Sequence, residues 1–332
     1  MDEADEPKDA IGQIRRRPGM YIGGVDSYGM EHLVFELVAN SIDQFLAGKV
    51  TRVGLSMDGS TISVIDDGPG LPFDESGDGT LSLAECWLTR HHQTPTADGH
   101  TPHIHLNASG IGLISVAALS RELKIVSHRH GRVWEQAFHR GHPTRPPVSS
   151  ASSERGTELT FTPDPEIFEE AQVRIPMLRR RLFDCALLFP GLVLHFHRET
   201  FHAPGGLADY VAFLAARPWR RLPLYGPVRS FHLRAEADGV RIEAAAYGTE
   251  ERGECEWMSW CNGSLTGMHG THVDGFRDAL RGGKWTPAAA AINVIMTHPH
   301  FAGPSRDKLN NPYVRKLVRD AVLAKLCQTG AA

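Results

Sequence analysis

Apolar residues recur at helical spacing over residues 30–47, where Leu33, Leu37 and Phe45 mark one face, and Gly48 follows as a C-terminal stop. The period then drops to two. Residues 53–57 and 61–65 read as strands, and Asp58-Gly59 between them is a hairpin signal. Asp66-Asp67-Gly68-Pro69-Gly70 breaks the second strand. Ser82 and Glu85 have capping-box spacing ahead of a helix near 82–90. Residues 112–119 are small and apolar throughout and predict a buried helix. Strands are predicted at 123–128, 132–138 and 157–162, an arginine-studded helix within 168–189, and a strand near 192–198. The second half predicts strands near 228–236, 240–247, 254–261 and 291–297, with helices at 272–281 and 312–326. Residues 1–10 read as a disordered acidic arm, RRRPGMYIGG as turns, and His202 to Gly206 as an inter-domain connection.

A chain of 332 residues suits two domains, and 41% apolar with 22% charged residues is ordinary globular composition. No apolar run approaches the ~20 residues that span a bilayer. The start MDEADEPKDA is acidic and resembles neither a secretory signal nor a transit peptide. Five cysteines without a C-x-x-C pair predict a reducing, cytoplasmic setting and no structural zinc. Net charge is −4, made of −8 over residues 1–205 (19 basic, 27 acidic) and +4 over 206–332 (16 basic, 12 acidic). The excess in the second half is too small to identify an acidic partner such as DNA.

Four groups of residues carry chemistry. Glu36, Asn40 and Asp43 stand at i, i+4 and i+7, on one helix face opposite an apolar one. A carboxylate beside an amide oxygen suits a general base next to a magnesium ligand, although spacing alone is equally that of a solvated face. Asp66-Asp67-Gly68-x-Gly70 ends a strand, where a buried carboxylate can accept a hydrogen bond from an amino group. Asn107-Ala-Ser-Gly110-Ile-Gly112 opens a small-residue helix, whose free N–H groups suit phosphate. Arg155-Gly156-Thr157 enters a strand.

In order and spacing, these groups resemble the GHKL ATPase superfamily of gyrase B, Hsp90, MutL and histidine kinases. RRRPGMYIG, HLVFELVANSIDQFLAG and DDGPGLP narrow the resemblance to the ATPase region of gyrase B and its topoisomerase IV counterpart. CNGSLTGMHGTHVDGF resembles the transducer segment N-N…GGTH…GF, and FAGPSRDKLNNPYVRKLV the transducer loop ending in Q-T-K-x-K-L. The likeness covers about residues 11–327. It implies an α+β fold: a Bergerat-type ATP-binding sandwich over 11–205, then a ribosomal-S5-like transducer over 206–332. It implies Glu36 as general base, Asn40 as Mg²⁺ ligand and Asp66 as acceptor of the adenine amino group, supported by Thr157. Gly70 and Pro72 would shape the adenine pocket, and Gly110 and Gly112 would meet the phosphates. Asp43 would support the helix face. ATP and Mg²⁺ are the implied cofactors. A homodimer formed on ATP binding, a cleavage subunit and DNA are the implied partners.

Several positions depart from the family. Q-T-K reads Pro304-Ser305-Arg306, so Arg306 would supply the cation for the γ-phosphate. The phosphate-facing lid Lys corresponds to Thr96, and the first loop glycines to Asn107 and Ala108. Five histidines (His91, His92, His100, His103, His105) crowd the lid, where a mobile polar segment competes with a zinc site. The Glu–Arg pair near adenine becomes Gln44 and Pro69, and the Arg engaged by aminocoumarins is matched to Glu135, which predicts weak novobiocin binding. No Tyr precedes Tyr21 in the arm. No Toprim domain or D-x-D cluster is expected, hence no DNA cleavage by this chain alone. The leading expectation is an ATP-driven dimer clamp. The alternative is a non-hydrolysing nucleotide-binding regulator, or an inhibitor-resistance decoy, of a topoisomerase.

Overall fold

The computed structural model describes residues 9–90, 111–169, 171–216, 228–249, 255–283, 285–303 and 306–328. It divides into two compact units. The first runs to Phe183 and includes Gly191–His202; the second comprises Asp184–Pro190 and the chain from Ala203 onward.

The first unit contains α1 (Ala10–Arg16), α2 (Gly19–Ile22), α3 (Ser27–Leu46), β1 (Arg52–Asp58), β2 (Thr61–Asp66), α4 (Leu83–Thr89), α5 (Gly112–Leu119), β3 (Ser120–Arg129), β4 (Arg132–His139), β5 (His142–Pro143), β6 (Val148–Ala151), β7 (Gly156–Pro163), α6 (Pro165–Phe168), most of α7 (Ile175–Leu188), β8 (Val193–Phe196) and β9 (Glu199–Phe201). Its mixed sheet has the order β5-β4-β3-β7-β2-β1-β8-β9, with β6 also paired to β4. Strands β1 and β8 run parallel, and β1 pairs with β2 in the antiparallel sense. Side chains alternate across the sheet, as strand geometry requires. Val53, Leu55, Ile62, Val64, Leu123, Ile125, Trp134, Phe138, Leu159 and Phe161 are buried. The other face is hydroxylic and charged: Thr61 meets Thr162 at 2.9 Å, Ser63 meets Thr160 at 2.9 Å, and Lys124 lies 3.5 Å from Glu135. The uncharged helix α5 is buried along its whole length and packs against α1, α3 and α4.

Helices α1 and α2 correct the reading of RRRPGMYIGG as turns. Asp9 caps α1 by accepting from Gly12 N–H, and the rest of the expected arm, residues 1–8, lies outside the described residues. Ile11 and Ile14 are buried, which stabilises a helix that local composition does not announce. Arg15 then spans to α6: it donates to Ala118 O at 2.7 Å and to Asp164 Oδ2 at 2.6 Å. Arg140 meets the same carboxylate oxygen at 3.0 Å, and Asp164 is fully buried.

The second unit holds α8 (Leu207–Ala215), β10 (Val228–Ala237), β11 (Val240–Thr249), β12 (Glu256–Cys261), β13 (Ser264–Leu265), α9 (Thr271–Gly282), β14 (Ala289–Ile295) and α10 (Pro312–Gln328). The sheet order is β10-β11-β14-β12-β13, with β12–β14 parallel. Every residue of β14 is buried, as befits a central strand covered on both faces. Ile242, Ala244, Ile292 and Val294 pack with Val273, Phe276, Val314 and Val318 of α9 and α10. Helix α8, which the hydrophobic pattern did not reveal, packs against β11 and β14. Its first N–H, from Leu207, donates to the Glu243 carboxylate at 3.2 Å, and His232 and Arg234 also meet that oxygen.

Asp164 makes the first unit's stability testable. Burial opposes its charge, but bonds from Arg15 and Glu166 N–H and the Arg15 and Arg140 charges together hold its carboxyl below the ordinary 3.8. Its stabilisation is present above 3.8 and is lost as pH falls through the lowered native value. Asp164→Ala should cost about 3 kcal/mol near neutral pH in urea denaturation, with the deficit narrowing in acid.

Candidate active site

Helix α3 is enclosed along most of its length. Fourteen of its twenty residues are buried, among them Glu31, His32, Glu36, Ser41 and Asp43. A solvated polar face is therefore excluded. Asp26 starts the helix by accepting from Tyr28 and Gly29 N–H, and Gly48 ends it at φ 73°, with Lys49 N–H returning to Gln44 O at 2.8 Å. Glu36 is 5% exposed, and its Oε1 lies 3.1 Å from His32 Nε2 one turn earlier. Sequence reasoning missed His32, although its i,i+4 spacing to Glu36 was visible. A Cβ at Gly112 would overlap Glu36 Oε2, so α5 begins hard against that carboxylate. Asn40 is half-buried one turn beyond Glu36, and Asp43 is 3% exposed.

The end of β2 faces α3. Ser41 Oγ donates to Asp66 Oδ2 at 2.8 Å, and Gly68 N–H donates to Oδ1 at 2.9 Å. Thr157, opposite Asp66 in β7, adds a backbone hydrogen bond. Burial is the largest influence on Asp66 and pushes its carboxyl above the ordinary 3.8 despite these donors. Asp67 turns the other way and accepts from Thr51 N–H at 2.7 Å, Arg52 N–H at 3.0 Å and the Thr51 hydroxyl. Arg155 Nε clamps Asp67 O at 3.1 Å. Gly156 (φ 114°) passes so close to Asp66 O that a Cβ would overlap it.

The following loop is pinned to the β3–β4 hairpin. Gly70, at φ 80°, rests on His128 O, and Leu71 N–H donates to Ser127 Oγ at 2.7 Å. Pro72 is buried, and Phe73 stacks on Trp134 with ring centres 6.0 Å apart. Arg129 donates to Asp74 Oδ1 at 2.8 Å and also meets Glu75, while His130 Nδ1 lies 2.6 Å from Asp74 Oδ2. This corrects one expectation. Strand alternation turns Trp134 and Gln136 inward and Glu135 onto the open face beside Lys124, the opposite side from the one on which it was expected. Arg129, at the end of β3, instead pins the loop through Asp74 and Glu75. Gln44 Oε1 is buried and lacks a hydrogen-bond partner among the described residues.

The structure thus brings Glu36, Asn40, Asp66, Gly70, Pro72, Gly112 and Thr157 into one region of the first unit. Gly110, Thr96, Asn107, Ala108 and the lid histidines lie outside the described residues, as do Pro304 and Ser305. Arg306 is exposed in the second unit at φ 55°, its N–H 3.5 Å from Gly303 O. Among the described residues no cluster of three His, Cys, Asp or Glu is placed to hold a metal. The donor set of Asn40 with Glu36 still fits a magnesium ion that keeps its waters and takes its other ligands from phosphates.

Residues 25–167 match the family of histidine kinase-, DNA gyrase B- and HSP90-like ATPases. The gyrase B protein of Thermotoga maritima is 32% identical over 94% of this chain and 54% of its own length. Its DNA topoisomerase 4 counterpart from Rickettsia typhi is 28% identical over 96% of this chain and 53% of its own. The chain spans about half the length of the curated relatives it matches. The 43K ATPase domain of Thermus thermophilus gyrase B, solved with an aminocoumarin, superposes with a TM-score of 0.79 at 27% identity, covering 97% of this chain and 91% of that one.

A raised Asp66 means that the native state holds this proton more tightly than the unfolded chain does. The associated stability is present below 3.8 and is lost as pH rises through the native value. Asp66→Asn should therefore raise the melting temperature at pH 7.5, and the gain should shrink as the buffer is taken toward pH 4. A lower melting temperature at neutral pH would refute the charge penalty.

Proposed function

Because this chain belongs to the gyrase B and topoisomerase IV B family over its ATPase and transducer regions, we propose that it binds and hydrolyses ATP to drive closure of a dimer clamp. The observation that carries this reading is the polar seam joining α3 to β2 and α5: Glu36 is buried against Gly112, half-buried Asn40 follows one turn on, and the half-buried Asp66 is bonded to Ser41, where a merely structural helix would be apolar. Asp66 accepts a hydrogen bond from the adenine amino group, with Thr157, Gly70 and Pro72 forming the surrounding wall. Glu36 takes the proton of the attacking water. His32, at 3.1 Å, orients that carboxylate. Asn40 would hold Mg²⁺, with the phosphates as its other ligands, and the ion would supply charge neutralisation there. Gly110 and Gly112 let backbone N–H groups approach the phosphates. Positioning and charge stabilisation account for most of the rate, as is usual for phosphoryl transfer.

The assignment of Arg306 to the γ-phosphate rests on its place in the transducer loop of the sequence. A guanidinium there keeps the charge of the family's lysine and offers a planar fork of donor nitrogens in place of one. Strand passage of DNA requires a cleavage subunit as a further partner, and this chain's contribution is the nucleotide-gated clamp. A cytoplasmic setting follows from that role; among the described residues no helix is long and apolar enough to cross a membrane.

Phosphate release from ATP by the purified chain is the test. Turnover should be present with Mg²⁺ and abolished by EDTA. Glu36→Ala should cost at least ~10²-fold in turnover, with affinity for a non-hydrolysable ATP analogue within about threefold of the unmodified protein. A loss below tenfold would remove Glu36 as the base. Arg306→Ala should slow turnover about tenfold or more, whereas Arg306→Lys should retain most of it.

A further inference from the structure

Ser41 lies on the inner side of α3, 2% exposed, in the turn after Asn40. Its hydroxyl has one proton. Leu37 O stands at the limit of hydrogen bonding, 3.5 Å away, while Asp66 Oδ2 is at 2.8 Å. The proton therefore goes to Asp66. An ionised carboxylate offers about four lone-pair sites. Two protein donors hold it, one on each oxygen: Ser41 on Oδ2 at 2.8 Å and Gly68 N–H on Oδ1 at 2.9 Å. Asp67 does not compete for these donors, because its own carboxylate is bound to Thr51 and Arg52.

We propose that Ser41 is a positioning residue for base selectivity: together with Gly68 N–H it fixes the plane of the Asp66 carboxylate, so that its remaining acceptor capacity is aimed at an amino group of the nucleobase. The proposal rests on the reading of Asp66 as the base contact. A fixed, acceptor-only group favours adenine, which presents an amino group, over guanine or hypoxanthine, which present a carbonyl oxygen in the same place. Without the Ser41 bond the carboxylate gains a free site on Oδ2 and keeps Gly68 N–H on Oδ1. Water or a second tautomeric partner then satisfies it, and discrimination falls. The bond also favours the ionised form, so its loss should raise the pH at which binding fails. Ser41 touches neither phosphate nor attacking water, so the chemical step should be spared.

The experiment compares Ser41→Ala, Ser41→Thr and Asp66→Asn in the full chain, measuring dissociation constants for ATP and GTP from pH 5 to 8 and kcat at saturating Mg²⁺-ATP. Ser41→Ala should weaken ATP about tenfold, the size expected for one hydrogen bond to a charged group. It should narrow the ATP-to-GTP preference by a similar factor, shift the acid limb of ATP binding upward and leave kcat within about twofold. Ser41→Thr, which keeps the hydroxyl, should restore the acid limb and the preference. A merely structural Ser41 would lower the melting temperature and kcat without moving the acid limb, and that result would overturn the proposal. Unchanged ATP affinity in Ser41→Ala, with binding abolished in Asp66→Asn, would sink the Ser41 inference alone. Unchanged affinity in Asp66→Asn would sink the base-contact reading beneath it.

Discussion

Charge buried on an enclosed helix must be met by donors, and the first unit is organised around that requirement. Helix α3 carries Glu31, Glu36 and Asp43 where an ordinary core helix would be apolar. Glu31 takes three donors from Arg174, through N–H, Nε and the terminal guanidinium nitrogen, at 2.8–3.0 Å. Glu36 is approached by His32 and walled by Gly112. The structural carboxylate is thus gripped by a guanidinium, whose charge is permanent. The one assigned to chemistry faces the imidazole of His32, at 3.1 Å, in place of a bidentate guanidinium. That contrast, set by neighbours rather than by residue type, separates scaffold from site.

The same logic runs across the sheet end. Asp66 and Asp67 are adjacent, yet their environments differ in sign. Donors and solvent outweigh burial at Asp67 and hold it low; burial outweighs the donors at Asp66 and holds it high. In the second unit, Glu243 shows the purely structural version. It faces α8 and gathers Leu207 N–H, His232 and Arg234 around one oxygen, capping a helix whose own N-cap, Gly206, has no side chain to do so.

Much of this was legible in the sequence where local signals and tertiary burial agree. Gly48 terminates α3, Asp58-Gly59 turns β1 into β2, and the Ser82–Glu85 capping box starts α4, all as the pattern predicts. The misses share a cause. Helices α1, α2 and α8 are short and adjoin Pro or Gly, so packing at Ile11, Ile22 and Tyr210 stabilises them and propensity does not. His32 stayed hidden because a histidine within an apolar run has no motif of its own. The Glu135 error was one of facing: in a strand, a residue's neighbours in sequence lie on the opposite surface, so alignment to the correct hairpin still left the side unread. Arg129, at the end of β3, escaped attention because its partners, Asp74 and Glu75, lie 55 and 54 positions away.

The β1–β2 hairpin has a consequence for how errors arise. Its register pairs Val53 with Asp66, and the turn between the strands holds only two residues, Gly59 and Ser60, beyond the last pair, Asp58 with Thr61. A slip by one position would exchange the two neighbouring aspartates. Asp67 would enter the pocket, and Asp66 would face the solvent-side amides. The same slip would turn Ile62 and Val64 out of the core and bury Thr61 and Ser63 in their place, so it would be strongly penalised. The short turn and the apolar alternation of β2 thus choose together which of two adjacent carboxylates points inward.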